Sequence, residues 1–257
     1  MALPTFQAAG TMVGSTGTIS PAWPTHAVDD IALLFLETAN QIPTALTTAN
    51  GFALVGTLSY GGGTAGSGAD ASALDVYWCR ATSTSMAAPT VTDAGQHTIG
   101  QILTFSGCIT TGDPWDVYAG DASGSATTSV TIPGVTTTVA DCLVVLACSW
   151  ADDSASGFLA SVTNASLANL TSRTNEGNIS GNGGGIAVLT GEKATAGVVS
   201  ASTGTLTGSA SYQGRACIAL KPPAAGAAAI GTRNARISGP GNRMNRSSYQ
   251  GAPCPAY

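Results

Sequence analysis

The chain has 257 residues, of which 44% are hydrophobic and only 9% charged, with a formal net charge of -5; ordinary globular proteins carry about 25% charged residues. Disorder needs low hydrophobicity and high net charge, so this composition predicts a folded body. No apolar run reaches the 18 residues of a membrane-spanning helix, and the sparse Lys/Arg content argues against a nucleic-acid surface.

Residues 1–20 read as a Gly/Thr/Ala lead without a clear period, and "MALPTFQAAGTMVGSTGT" lacks the basic and apolar regions of a signal peptide. After the Pro-bounded turn "SPAWPTHAVDD" comes "IALLFLET", residues 31–38, an apolar run closed by Glu37 and Thr38. It is too short for a typical helix and fits a strand buried on both faces. "GFALVGTLSY" and "ALDVYWCRAT" follow, joined by the glycine-rich "GGGTAGSGADAS", and read as an antiparallel pair. In the second strand Val76 and Trp78 share one face, expected to be core. Asp75, Tyr77 and Cys79 share the other, expected to be at least half polar.

The β-rich runs continue as "PTVTD", "HTIGQILTFSGC", "SVTIPGVTT", "DCLVVLACSW", "NLTSRT", "GGIAVLTGE", "VVSASTGTL" and "GRACIALKP". In "DCLVVLACSW" the residues Cys142, Val144, Leu146 and Cys148 alternate with Leu143, Val145 and Ala147, the pattern of a mid-sheet strand. Only "SGFLASVTNASLANL" could hold a helical turn. About ten strands without long helices predict an all-β fold, a two-sheet antiparallel sandwich of jelly-roll or immunoglobulin-like topology. A β-helix would need a fixed period, and none is visible. Pro222-Pro223 cannot continue a ladder, and "AAGAAAIG" reads as a linker. The expected organisation is a lead (1–20), a sandwich body (21–223) and an extended arm (224–257).

Motifs for chemistry are scarce. Gly61, Gly63 and Gly66 satisfy GxGxxG, but a strand follows them, where a phosphate-binding site would need a helix. No GxSxG, Walker A or HExxH occurs, and His26 and His97 are the only imidazoles. Both read as structural or surface residues. Asp152 and Asp153, with Asp141, offer oxygen ligands for calcium without EF-hand spacing, which favours an exposed loop. The six cysteines show no CxxC pair and read mostly as core thiols. Trp23, Trp78, Trp115 and Trp150 share no face, which favours packing roles over a sugar platform. The sequons at Asn164, Asn169, Asn178 and Asn245 matter only in a secretory context. No catalytic residue, cofactor or metal is expected.

The segment "LDVYWCRATSTS" followed by "QHTIGQILTFSGCITTGDPWDV" resembles a recurring stretch in structural proteins of tailed bacteriophages and their prophages. The matching residues are Trp78, Arg80, Ala81, Phe105, Gly107, Cys108, Thr111, Gly112, Pro114, Trp115 and Asp116, and Ser106 stands where that pattern has arginine. The likeness spans roughly residues 20–222. It implies a β-sandwich scaffold of the virion, made in the bacterial cytoplasm and without catalytic residues, in a head decoration, neck or collar, or tail position.

The last 34 residues complete that expectation. All 14 acids precede Pro222 against five cations, so residues 1–223 carry -9 while the tail carries +4. Arg233, Arg236, Arg243 and Arg246, with Tyr249, Cys254 and Tyr257, read as a docking strap for other virion proteins and copies of the chain itself, the protein being a homo-oligomer. Nucleic acid and membrane are not expected partners. A receptor- or carbohydrate-binding module of a tail fibre is the alternative reading.

Overall fold

The computed structural model describes residues 2–39, 46–64, 71–92, 96–153 and 157–224. Among them every regular element is a strand. The first half contains β1 (Thr5–Ala9), β2 (Val13–Ser15), β3 (Ile31–Thr38), β4 (Ala53–Gly62), β5 (Ser72–Arg80) and β6 (Thr98–Ser106). The second half contains β7 (Trp115–Ala122), β8 (Ser129–Ile132), β9 (Val135–Thr137), β10 (Cys142–Trp150) and β11 (Leu159–Thr163). It continues with β12 (Ala168–Asn178), β13 (Gly184–Lys193), β14 (Gly197–Val199), β15 (Ser202–Leu206) and β16 (Gly214–Leu220).

Two large antiparallel sheets face each other. The first has the order β1-β6-β3-β5-β4, with β2 also on β6; the second has the order β12-β13-β10-β16-β7. Read from the other edge, the second becomes β7-β16-β10-β13-β12, so both sheets follow one rule: first, last, second, fourth, third. The chain is a tandem repeat in topology. β5 lies over β10 and β16, while β13 lies over β3 and β6. Exchanging the halves maps these contacts onto one another, a local pseudo-twofold; β4 also packs on β7 and β16, which has no counterpart of that extent.

A local device recurs with the topology. Asp29 and Asp141 both adopt positive φ (70° and 58°) just before the central strands β3 and β10. Their amides donate to the carbonyls of Ala81 and Ala194 at 2.9 and 3.2 Å. Those alanines sit in the matching tripeptides Arg80-Ala81-Thr82 and Lys193-Ala194-Thr195. Asp tolerates the left-handed region better than most residues, so the same residue type starts both central strands.

Three apolar layers result. Ile31, Leu33, Phe35, Leu74, Val76, Leu103 and Phe105 from the first sheet meet Leu143, Val145, Ile186, Val188, Ile218 and Leu220 from the second. The outer face of the second sheet (Val144, Leu146, Cys148, Trp150, Leu189, Cys217) is covered by Val130, Ile132, Phe158, Leu159, Val199 and Leu206. Apart from Phe158, which immediately precedes β11, these come from the small sheets β11-β15-β8 and β14-β9. The outer face of the first sheet (Ala32, Leu34, Leu36, Tyr77, Cys79, Ile102) lies under Ile19, Leu46, Phe52 and Val91. Among the described residues its covering layer has only the isolated bridges Ile19–Val91 and Thr48–Thr90 where the second half has sheets. The layers are equivalent: each uses the connections between its half's first and second, second and third, and fourth and fifth strands.

Several expectations change in this light. The lead supplies β1 and β2, which pair with β6 along its whole edge. The segment that could hold a helical turn forms β11 and the start of β12. The outward face of β5 is no polar surface, because Asp75, Tyr77 and Cys79 are all buried beneath the covering layer. The alternation read in β10 holds, with Cys142, Val144, Leu146 and Cys148 toward the outer layer and Leu143, Val145 and Ala147 toward the other sheet. The last strand, β16, ends at Leu220, and residues beyond Ala224 lie outside those described.

Candidate functional site

Strand alternation puts every second side chain of β3 between the sheets, and after Ile31, Leu33 and Phe35 the next is Glu37. It is fully buried, and its Oε2 shares a 2.6 Å hydrogen bond with Nε2 of the equally buried His97, which precedes β6. The Ser72 hydroxyl on β5 lies beside Glu37 and pulls its carboxyl downward, while Glu37 Oε1 has no hydrogen-bond partner among the described residues. The Ser72 hydroxyl meets Ser149 Oγ of the second sheet at 2.8 Å, and Ser149 Oγ accepts from the Gly214 amide at 3.1 Å. A chain of polar groups therefore crosses from one sheet to the other through an apolar core. Gly184, which begins β13, makes room: a Cβ there would lie 2.6 Å from Glu37 Oε2.

The pseudo-twofold explains this placement. Glu37 and Ser149 occupy the fourth inward position of the two central strands, and Ser72 and Gly184 each begin the adjacent fourth strand. The contact of Ser72 with Ser149 is thus the counterpart of the contact of Gly184 with Glu37. Burial raises the Glu37 carboxyl to about 7, against the opposing pull of His97 and Ser72. On the opposite face of the same sheet, burial raises Asp75 to about 6, partly offset by the Ser59 hydroxyl. Glu37 and His97 are 0 and 1% exposed, so the pair lies away from bulk solvent between the sheets.

A second polar constellation joins the halves. The Arg80 guanidinium donates to the carbonyls of Ile109 and Gly112, at 2.6 and 3.0 Å. It thereby fixes the turn that carries the chain from β6 to β7. Trp115 at the start of β7 meets Trp78 edge-on at 5.3 Å. The Asp116 carboxylate accepts from the Thr138 amide and hydroxyl. Trp78, Arg80, Gly112 and Trp115 thus meet at the crossover between the sheets.

Other candidates separate or are buried. Asp141 and Asp152–Asp153 stand at opposite ends of β10, so the three acids form no common calcium site; Asp152 accepts from the Ser209 amide. Among the described residues no group of three metal-ligating side chains converges. Cys79, Cys108, Cys142, Cys148 and Cys217 are buried free thiols, and burial pushes Cys108, Cys148 and Cys217 up to about 12. Trp150 stacks on Phe158 at 5.4 Å inside the outer layer. Trp23 differs: its ring packs on Phe52 and His26, its indole N–H donates to Ala87, and it lines an open cleft of about 550 Å³ with His26, Thr25, Thr84, Ser85 and Met86.

Arg233, Arg236, Arg243, Arg246, Tyr249, Cys254 and Tyr257 lie outside the described residues. The residue that sequence reasoning missed is Glu37, which looked like the polar end of an apolar run; the inward alternation of Ile31, Leu33 and Phe35 was the signal that placed it inside. No protein-family model matches the chain, and neither a curated protein nor a solved structure matches it significantly.

Proposed function

We propose that this chain is a structural or accessory component of a tailed-bacteriophage virion, in a head decoration, neck or collar, or tail position. Its sandwich body supplies surface and its basic C-terminal segment docks on other virion proteins and on copies of the chain. The observation that carries this reading is the convergence of Trp78, Arg80, Gly112 and Trp115 on the crossover between the sheets. The motif behind the resemblance is used as architecture, as a scaffold protein would use it. The connectivity agrees: leaving aside the short pair β9 and β14 and lettering the other eight strands of the second half a to h in chain order, its sheets are a-h-c-f-e and b-g-d, as a jelly roll with strand e moved to the other sheet. Jelly rolls are frequent in viral capsid proteins, which supports the reading by analogy only. The division of charge, -9 on residues 1–223 and +4 on the last 34, suits docking between copies.

The test is incorporation. Phage particles made with the full chain and with a chain ending at Ala224 are purified and their proteins quantified. The full chain should be present at fixed stoichiometry and the shortened one depleted at least tenfold. Absence of the full chain from particles would remove the proposal.

The alternative, a receptor- or carbohydrate-binding module, is favoured by the cleft at Trp23, where an aromatic ring and hydroxyls share one opening. A glycan array probed with the purified protein and with Trp23→Ala separates the two readings. Binding that is lost in the variant would promote the alternative.

A further inference from the structure

The polar chain through the core raises a question that packing alone does not answer. Replacing a buried ion pair by apolar residues is often neutral or stabilising, yet Glu37 and His97 lie within a continuous apolar layer and next to the pseudo-twofold contact of the two halves. We propose that the Glu37–His97 pair is a proton-operated latch on the contact between the two sheets, closed while the pair retains a proton and loosened when it loses its last one.

The groups that face Glu37 account for this behaviour. From its own sheet come His97 and the Ser72 hydroxyl. From the other come the Ser149 hydroxyl, Gly184 and the backbone around Trp150, none of which carries charge. Asp153, against Gly183, is an acid at the same end, and Asp75 faces the other side of the first sheet. With one proton on the pair, either Glu37 is neutral or His97 balances it. With none, the carboxylate keeps the N–H of a neutral His97 but no countercharge within the pair, and it faces uncharged groups of the second sheet and an acid beyond them. A buried charge without a countercharge is costly, and the contact of the halves is what must give to hydrate it.

The sign follows from the direction of the shift. Glu37 is raised from 4.5 to about 7, so its contribution to stability is fully present below pH 4.5 and is lost as pH rises through 7. Between pH 6 and 8.5 this raises the unfolding equilibrium constant by about tenfold, while Asp75, with its lower value of about 6, adds roughly twofold. The latch therefore opens toward alkaline pH.

The experiment uses the full chain. Hydrogen exchange, corrected for intrinsic rate, is followed by mass spectrometry on β3, β5, β10 and β13 at pH 6 and 8.5, in the native protein and in Glu37→Gln. The native protein should open these strands of both halves about tenfold more at the higher pH, and the variant at most about threefold. Equal increases in both proteins, or none in the native one, would overturn the latch. Should the variant fail to fold, the carboxyl carbon of Glu37 is titrated by NMR in the native protein. A midpoint near 7 supports the proposal, and one near 4.5 overturns it.

Discussion

Leu33→Ala tests whether the two halves unfold as one body. Leu33 is fully buried on β3, opposite Trp78 on β5 and Leu103 on β6, and belongs to the layer completed by Val145, Val188 and Ile218 of the other half. Leucine-to-alanine changes in cores cost 2 to 5 kcal/mol according to how far the site can collapse. Here the neighbours are strands held on both sides, which resist collapse, so a loss of about 3 to 4 kcal/mol is expected. For a body of this size each kcal/mol lowers Tm by about 2 to 4 °C, giving a fall of roughly 10 °C. Calorimetry should show one transition shifted as a whole, and native-state hydrogen exchange should show β10 and β13 losing protection as much as β3 and β6. Two transitions, with only one displaced, would refute the shared-core reasoning.

Further outcomes follow from individual contacts. Gly120→Val on β7 should cost about 1 to 3 kcal/mol in urea unfolding, because a Cβ there would lie 2.6 Å from the Tyr60 ring and 2.7 Å from Leu58 of β4; an unchanged midpoint would contradict the close approach of these edge strands. Asp75→Asn should raise stability at pH 7 by up to about 3 kcal/mol and leave it unchanged at pH 3.5. The Asp75 contribution is present below 3.8 and lost as pH rises through about 6, so equal effects at both pH values would contradict its burial. A chain ending at Ala224 should keep one cooperative β-type transition within about 2 °C of the full chain, since the ladder ends at Leu220; loss of the transition would place a core strand in the arm.

The sequence made some elements legible because their physics is local. "IALLFLET" and "CLVVLACSW" are apolar on both faces, and each became the central strand of a large sheet with neighbours on both sides and cover above and below. Residues 157–170 misled because alanine and leucine favour helix locally. The deciding interactions are distant: Leu159 pairs with Leu206, and its backbone is bonded by the Asn175 side chain through both N–H and C=O. The repeated strand order escaped a search for a fixed period because strand spacing drifts between halves. Its marks were two aspartates before the apolar strands and the tripeptides Arg80-Ala81-Thr82 and Lys193-Ala194-Thr195. Glu37 was hidden for a related reason, since the group that makes its burial tolerable, His97, lies 60 residues away. The basic C-terminal segment is read from its charge pattern alone and lies outside the described residues.

Electron microscopy of purified particles tests the central claim most directly. The account predicts density on the particle for a body of two facing five-stranded sheets, repeated by the particle's symmetry, with the C-terminal segment of each copy lying on a neighbouring protein. Particles complete in every component but lacking that density would contradict it.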